Sequence, residues 1–313
     1  MCQAARVKAV SVAMGLAVLV LVPPSSAAQR APDPEFSLAI SPARLVVAQA
    51  DVNSTQEIQV INGGTEPMQV TVEKQNFVAD RSGTLLFQET APYSASDWVT
   101  ITPTSFEVPA GETQVVSATI DVPVDAEPGD HHLALVVLVP AGESDANMRV
   151  NRGIGSPVLI TVPGPIDASA AVTALDAGGF ATGGPVDVNA TIEDIGNVHR
   201  DFRGATALLV DAAGEAEPFP DFTVMRGGTR DISTTWDPPL MCICHPTVAV
   251  VNADGTESTM TVRAIVFPVW HALAILAVLL LAAAGYWLAR RRYRASVLEA
   301  AAALRPLTGA GVG

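Results

Sequence analysis

The segment "MCICHP" holds the residues of this sequence best suited to chemistry, namely Cys242, Cys244 and His245. Thiolates and imidazoles bind zinc, but a site here would need a further ligand brought by folding, such as His199. Haem attachment requires C-x-x-C-H, and this segment is one residue short. Outside the cytoplasm thiols tend to oxidise, so an intrachain disulfide, buried free thiols and an intermolecular bridge all stay open.

Searches for other reactive groups find no G-x-S-x-G, S-x-x-K or H-E-x-x-H motif and no phosphate-binding glycine loop. Adjacent residues of a strand point to opposite faces, so neither Glu193 with Asp194 nor His131 with His132 forms a pair on one strand face. We therefore expect no enzymatic activity, no cofactor and no metal site.

An apolar run from 267 to 289, "FPVWHALAILAVLLLAAAGYWLA", carries His271 as its one ionisable side chain other than tyrosine. A bilayer core requires about 20 apolar residues in a helix, so this run is long enough to span. Four arginines follow it, namely Arg290, Arg291, Arg292 and Arg294. Since basic residues favour the cytoplasmic side, we expect a cytoplasmic tail at 290–313 and everything N-terminal to the span outside.

The first 28 residues have the three parts of a secretory signal: Arg6 and Lys8, an apolar run, and small residues before a cleavage point after Ala28. An uncleaved N-terminal anchor is the alternative. Together with the C-terminal span, this predicts a single-pass type I protein of the cell membrane with an extracellular ectodomain. Cys2 would be lost with the signal.

The predicted ectodomain is strongly acidic. The full chain has 32 acidic and 18 basic side chains. Without the two basic residues of the signal and the five arginines and one glutamate of the tail, 31 acids and 11 bases remain, a net charge of about −20. Such a field repels nucleic acid, which we therefore exclude as a partner.

The ectodomain sequence alternates with period two. In "PMQVTVE" Met68 and Val70 oppose Gln69 and Thr71, and "PVDVNATIE" repeats the pattern from Val186. Such alternation is typical of half-buried antiparallel strands. Turn signals such as "NGG", "RSG" and "PGD" separate the runs at intervals that suit a β-sandwich.

The motif "TVPGPIDAS" interrupts the strands and marks a domain boundary. We expect an all-β protein of two tandem immunoglobulin-like sandwiches, at 36–163 and 166–266, followed by one transmembrane α-helix. The run "LALVVLV" from Leu133 to Val139 is apolar on both faces. It is interpreted as a buried core strand, with an exposed apolar face for a partner as the alternative.

The first predicted domain carries "SPARLVV", "VINGGTEPMQV", "DRSG", Trp98 and "PAGET" before a strand that ends in "DVP". This succession over 36–163 resembles the peptidoglycan-binding N-terminal domain of WxL-interacting proteins, which is an immunoglobulin-like sandwich. It also looks, more loosely, like the first domain of periplasmic pilus chaperones. The second domain is similar to bacterial surface immunoglobulin-like modules, in which a late tryptophan, here Trp236, packs the core.

Two functions follow as expectations. The resemblance to WxL-interacting proteins implies a membrane-anchored stalk of the cell envelope that binds cell-wall peptidoglycan or a cell-surface protein. The similarity to pilus chaperones implies the alternative, a membrane-tethered chaperone or assembly factor for secreted β-sandwich proteins. Those chaperones grip the C-terminal carboxylate of a client with a basic residue of the opening strand, and Arg44 is the position here that corresponds.

Overall fold

The structure is a computed structural model that describes residues 34–140 and 151–303. The predicted signal peptide and the last part of the predicted tail lie outside the described residues. Within these ranges the chain consists of β-strands, three short 3-10 helices and then one long helix. The prediction of an all-β fold with a single C-terminal helix is therefore confirmed.

The first sandwich contains ten strands. They are Leu38–Ser41 (β1), Leu45–Val47 (β2), Thr55–Asn62 (β3), Met68–Ala79 (β4), Leu85–Gln88 (β5), Val99–Thr102 (β6), Ser105–Val108 (β7), Thr113–Ile120 (β8), Gly129–Val139 (β9) and Arg152–Val162 (β10). One sheet has the order β1-β3-β8-β6, and the other has the order β2-β10-β9-β4-β5, with β7 also paired to β4.

Alternate residues of both sheets meet in one hydrophobic core. Ile58 and Val60 of β3 pack in the same buried cluster as Leu133 and Leu135 of β9. The predicted alternation in β4 is confirmed, because Met68, Val70 and Val72 are buried while Gln69 is exposed and Thr71 half-buried.

The chain crosses from one sheet to the other between β1 and β2. The Ser41–Pro42 peptide bond is cis, and the hydroxyl of Ser156 in β10 donates to the carbonyl oxygens of Pro42 and Ala43 at 3.1 and 3.2 Å. After this crossing β2 runs parallel to β10, with Leu45 opposite Val158. The crossing is therefore fastened to the middle of β10.

The second sandwich contains twelve shorter strands. They are Ala170–Asp176 (β11), Phe180–Ala181 (β12), Val186–Asp194 (β13), Arg200–Phe202 (β14), Leu209–Ala212 (β15), Glu215–Pro218 (β16), Phe222–Val224 (β17), Thr229–Trp236 (β18), Cys242–Cys244 (β19), Thr247–Val251 (β20), Glu257–Thr261 (β21) and Ala264–Val266 (β22). They form the sheets β11-β13-β18, β16-β15-β20-β21, β12-β22-β19 and β14-β17.

A separate core fills the second sandwich. The side chains of β13 that were predicted to face inward, Val186, Val188, Ala190 and Ile192, are all buried. Trp236 is buried in the same cluster, which agrees with the role that its resemblance implied.

The helix α1 runs from Val269 to Ala303. It is long and apolar enough to cross a membrane, with a mean hydropathy of 2.3 over its most apolar window. The predicted span was to end at Ala289, but the helix continues without a break through the four arginines. Arginine, alanine and leucine are strong helix formers, so leaving the apolar run does not end the helix.

Candidate functional site: an open strand edge beside an interdomain cleft

In the described part of the chain, the first residues of strand β10 have a strand partner on only one side. Its whole length, from Arg152 to Val162, pairs antiparallel with β9. On the other side, within the described residues, only Val158–Ile160 pair, with β2. The segment Arg152–Gly155, which precedes the fastened crossing at Ser156, is therefore an open edge. Such an edge offers unpaired backbone N–H and C=O groups to an added strand.

The orientation of the open backbone groups follows from Pro157. Proline has no N–H, so inside a sheet its nitrogen must face away from the ladder. Pro157 lies opposite Ala134 of β9, and its nitrogen therefore faces the open side. Backbone groups two residues apart point the same way along a strand. The N–H and C=O groups of Gly153 and Gly155 accordingly face the open edge.

Apolar side chains flank this edge on both faces. On the outer face, the ring of Phe87 reaches within 3.5 Å of the position that a Cβ of Gly155 would occupy. On the core side, Phe36, Leu38 and Ile154 are only partly buried where they pack against the core. The guanidinium carbon of Arg152 lies 4.5 Å from the centroid of the Phe36 ring. An added strand would therefore meet apolar surface on both of its faces.

The run "LALVVLV" in β9 is in part a buried core strand and in part an exposed apolar face, the two interpretations given to it from the sequence. Leu133, Ala134 and Leu135 are fully buried, whereas Val136, Leu138 and Val139 are half-buried. The half-buried end lies opposite the open edge, because Leu138 pairs with Gly153. The core interpretation holds for Leu133–Leu135 and for Val137, which is 1% exposed. The half-buried Val136, Leu138 and Val139 contribute to the apolar surface beside the edge.

A cleft of about 390 Å3 between the two sandwiches adjoins the open edge. Pro157 of β10 lines it, two residues beyond Gly155. Its lining includes three arginines and two aspartates, namely Arg44, Arg203, Arg230, Asp80 and Asp221. The cleft thus brings together three of the arginines of the two sandwiches.

Arg44, the residue singled out by the similarity to pilus chaperones, lies at this boundary and is already paired. Its two terminal nitrogens donate to the carboxylate oxygens of Asp201 at 3.0 and 2.8 Å, and one of them donates to the Thr223 hydroxyl at 3.0 Å. Arg203 contacts the same carboxylate at 2.7 Å. Burial alone would raise the pKa of Asp201, but the bonds from Arg44, Thr223 and Arg203 hold that pKa well below its usual range.

Arg230 is held differently. Its Nε and Nη1 atoms are buried without a hydrogen-bond partner in the described part of the chain. The guanidinium lies directly on Gly83, where a Cβ would fall 1.1 Å from Nη1. Buried donors without partners cost about 1–3 kcal/mol, so they favour an acceptor supplied by a ligand or by water.

A second set of charged contacts joins the sandwiches around Arg226. Its guanidinium is buried, donates to Glu127 Oε1 at 2.6 Å and to the Asp130 carbonyl at 3.2 Å, and lies 4.0 Å from the centroid of the Tyr93 ring. Asp130 accepts the backbone N–H of His199 at 2.7 Å and also contacts that imidazole. Burial would raise the pKa of Asp130, but the bonds from His199 and Thr161 hold it below its usual value.

The remaining predicted residues lie away from the cleft. Cys242 and Cys244 form a disulfide in β19. Their Cα atoms are 5.4 Å apart, closer than two residues of a regular extended strand, so the backbone bends as such a bridge requires. Arg290, Arg291, Arg292 and Arg294 lie on α1. In the described ranges, no group of three or more His, Cys, Asp or Glu is placed to hold a metal ion.

Sequence reasoning missed the open edge and the arginine cleft. The motif "GIGSP" at Gly153–Pro157 was a usable signal for the edge, because glycine and proline inside a strand are tolerated mainly where one side is unpaired. The cleft had no such signal. Its side chains come from both sandwiches, and Arg44 and Asp201 are 157 residues apart.

No family model and no curated protein matches the chain, so the resemblance to WxL-interacting proteins is not confirmed. Solved structures of chaperones are similar in fold. The YadV chaperone is 11% identical with a TM-score of 0.40, over 72% of this chain and 98% of its own. The DraB chaperone of E. coli is 13% identical with a TM-score of 0.40, over 73% and 96%.

A third solved structure is the CsuC-CsuE chaperone and tip subunit complex from the chaperone-usher Csu pili of Acinetobacter baumannii. It is 12% identical with a TM-score of 0.37, over 73% of this chain and 99% of that one. The looser similarity to pilus chaperones thus agrees with the kind of solved structure found. At these identities and TM-scores the likeness carries no argument about function, which has to come from the site itself.

Proposed function

We propose that this chain is a non-enzymatic, membrane-anchored binding protein that takes up an extended segment of a secreted or surface protein as an added strand along Arg152–Gly155. The observation that carries the proposal is the one-sided pairing of β10. Strand addition gains affinity from main-chain hydrogen bonds and specificity from pockets for alternate side chains. The proposed role is that of a membrane-tethered chaperone or assembly factor.

The character of the open edge supports its choice over the other sheet edges of the first sandwich. β1, β5 and β6 are edge strands of four residues each, and β2 has three. By contrast, β10 has eleven residues and is anchored along all of them to β9. Gly153 and Gly155 carry no side chain that would obstruct an incoming backbone. A partner segment with apolar residues on both of its faces would cover Phe87 on one side and Ile154 on the other.

The arginine cleft supports a preference for a segment with a free carboxyl terminus. A segment that runs parallel to β10 from Arg152 ends beside Pro157, which lines the cleft. The guanidinium groups of Arg44 and Arg230 are suited to bind a carboxylate there. In the free protein the guanidinium of Arg44 binds the carboxylate of Asp201. In the proposed complex the carboxylate of the ligand replaces that of Asp201.

The helix α1 supports the tethered form of this proposal. A span oriented by Arg290–Arg292 would hold both sandwiches outside the cytoplasm. Secreted proteins would then meet the open edge as they emerge. Peptidoglycan binding stays a prediction without a supporting feature among the described residues.

Photo-crosslinking in cells tests the proposal. The photoreactive residue p-benzoylphenylalanine replaces Arg152 at the open edge or, as the matched control, Thr100 on the edge strand β6 of the same sandwich. We expect discrete adducts with secreted proteins from position 152 and none from position 100. Equal adducts from both positions, or none from 152, would contradict strand addition at β10.

A further inference from the structure

Five exposed apolar side chains gather at the end of the second sandwich that adjoins α1. Their exposed fractions are 56% for Phe180, 78% for Leu240, 67% for Met241, 63% for Ile243 and 41% for Phe267. They come from β12, from β19 with the segment before it, and from the residue that follows β22. We call this set the apolar collar.

Strand register sets the height of the collar relative to the helix. Cys242 lies opposite Val266 in the antiparallel pair of β19 and β22. Continuing that register places Met241 level with Phe267 and Leu240 level with Pro268, the last residue before α1. The chain before β19 therefore extends to the level at which the apolar helix begins.

The third strand of this sheet fixes the collar from the other side. β12 runs parallel to β22, with Phe180 opposite Ile265, and the N–H of Phe267 donates to the carbonyl oxygen of Ala181 at 2.9 Å. Strand residues rise about 3.3 Å each, so Phe180 lies within two residues of Phe267. All three strands thus bring apolar side chains to within about 7 Å of the level of Phe267.

The disulfide helps to keep the side chain of Ile243 exposed. Cys244 is buried and Cys242 packs partly against the core, so the residue between them faces away from the core. The bond that joins its two neighbours fixes the local backbone. Ile243 is thereby held outward, with 63% of its surface exposed.

We propose that the apolar collar lies in the headgroup layer of the outer leaflet, so that the second sandwich rests on the membrane instead of standing away from it. This placement of the collar rests on α1 crossing the membrane and is independent of strand addition at β10. The interfacial layers add about 5–7 Å to each side of the hydrocarbon core, which matches the height of the collar. Asp237 and Arg263, which precede Leu240 and Phe267 in the chain, carry opposite charges. We therefore expect zwitterionic phosphatidylcholine, which has no net charge, to suffice.

Lipid photolabelling of the full chain tests this inference. The protein is placed at one copy per nanodisc of phosphatidylcholine that contains a lipid with a diazirine near the headgroup end of its acyl chain. Trypsin then releases Leu240, Met241 and Ile243 of the collar on the fragment 231–263. It also releases a control fragment, 204–226, which carries the exposed Leu209 (46% exposed). We expect label on α1 and on Leu240–Ile243, with the control fragment at least about tenfold lower.

A triple variant, Leu240→Ser with Met241→Ser and Ile243→Ser, serves as the matched comparison. These side chains are exposed, so the fold should be retained. In this variant the label on the fragment 231–263 should be at least fivefold lower than in the unsubstituted protein, while the label on α1 stays unchanged. Label on α1 alone in the unsubstituted protein, or equal label on both fragments, would overturn the inference.

Discussion

Arg44 of the first sandwich donates two hydrogen bonds to the carboxylate of Asp201 in the second, at 3.0 and 2.8 Å. Both side chains are about a quarter exposed, at 27% and 28%. This bidentate pair ties the residue before β2 to the middle of β14, beside the point where the open edge of β10 enters the cleft. In the proposed function it is also the contact that a carboxylate ligand replaces.

The replacement of Asp201 by a ligand predicts opposite effects of two variants. Asp201→Asn removes the competing charge and should tighten binding of a peptide with a free carboxyl terminus, whereas Arg44→Ala should weaken it. A charged hydrogen bond contributes about 1.5–3 kcal/mol, so each change should be about tenfold. Fluorescence anisotropy measures both, with the C-terminally amidated peptide as control. If both variants weaken binding alike, the pair serves only to join the sandwiches.

The buried guanidinium of Arg226 should tolerate no replacement by lysine. It combines the 2.6 Å bond to Glu127 with stacking on Tyr93, and a lysine ammonium cannot reproduce both. We expect Arg226→Lys to lower the free energy of unfolding by about 2 kcal/mol.

Arg81→Lys is the matched control for Arg226→Lys. Arg81 contacts Asp231 across the same boundary at 3.6 Å, but both side chains are largely exposed. Exposed pairs contribute little, so the cost should stay below about 0.5 kcal/mol. Urea unfolding followed by tryptophan fluorescence measures the two variants. Equal costs would show that Arg226 does not contribute through its burial.

Asp194 predicts an unusual pH dependence of stability. Burial raises its pKa to about 7, outweighing backbone hydrogen bonds from Gly227 and Gly196, with Asp130 and Asp167 adding to the rise. Between pH 4 and 7 the folded state keeps a proton that the unfolded state loses, so stability falls as pH rises through this window. From pH 5 to pH 8 the loss should be about 2 kcal/mol larger than in Asp194→Asn.

Urea titrations of the unsubstituted protein and Asp194→Asn at both pH values isolate this contribution, because the other titrating groups are shared. Parallel pH profiles in the two proteins would show that Asp194 ionises as it does in the unfolded chain. A steeper loss in the variant would reverse the sign of the argument.

The disulfide between Cys242 and Cys244 should contribute little to global stability. One residue separates the two cysteines, and constraining so short a loop gains at most about 1.5 kcal/mol. Selective reduction should therefore shift the unfolding midpoint slightly and leave the sandwich folded. Thermal unfolding before and after reduction, with thiol counting by mass spectrometry, checks this. Loss of the cooperative transition on reduction would contradict it.

Local sequence patterns predicted the strands, whereas the open edge and the cleft depend on pairing between residues far apart in the sequence. Alternation identified the buried faces of β4 and β13 because each face consists of every second residue within one short segment. The open edge of β10 depends on β2 stopping after three residues, which no local pattern encodes. Arg44 was singled out from a resemblance, but its partner Asp201 is visible only once the second sandwich has folded against the first.

The helix end shows the same limit in another form. The apolar run predicted where a membrane span would end, at Ala289, but a helix ends where its backbone propensity fails. The residues that follow are good helix formers, so α1 continues to Ala303. Membrane boundary and helix boundary are therefore different properties of this sequence.

The most direct test of strand addition uses two substitutions at Gly155. Gly155→Pro removes the edge-facing N–H without touching the ladder to β9. Gly155→Ala keeps that N–H and adds a Cβ in ordinary contact with Phe87, at 3.5 Å.

The measurement is fluorescence anisotropy of a labelled peptide of alternating valine and threonine with a free carboxyl terminus, added to the full chain in nanodiscs. We expect Gly155→Ala to bind within about twofold of the unsubstituted protein and Gly155→Pro to bind at least about tenfold more weakly. Equal binding by the two variants, or no binding by the unsubstituted protein, would contradict the claim.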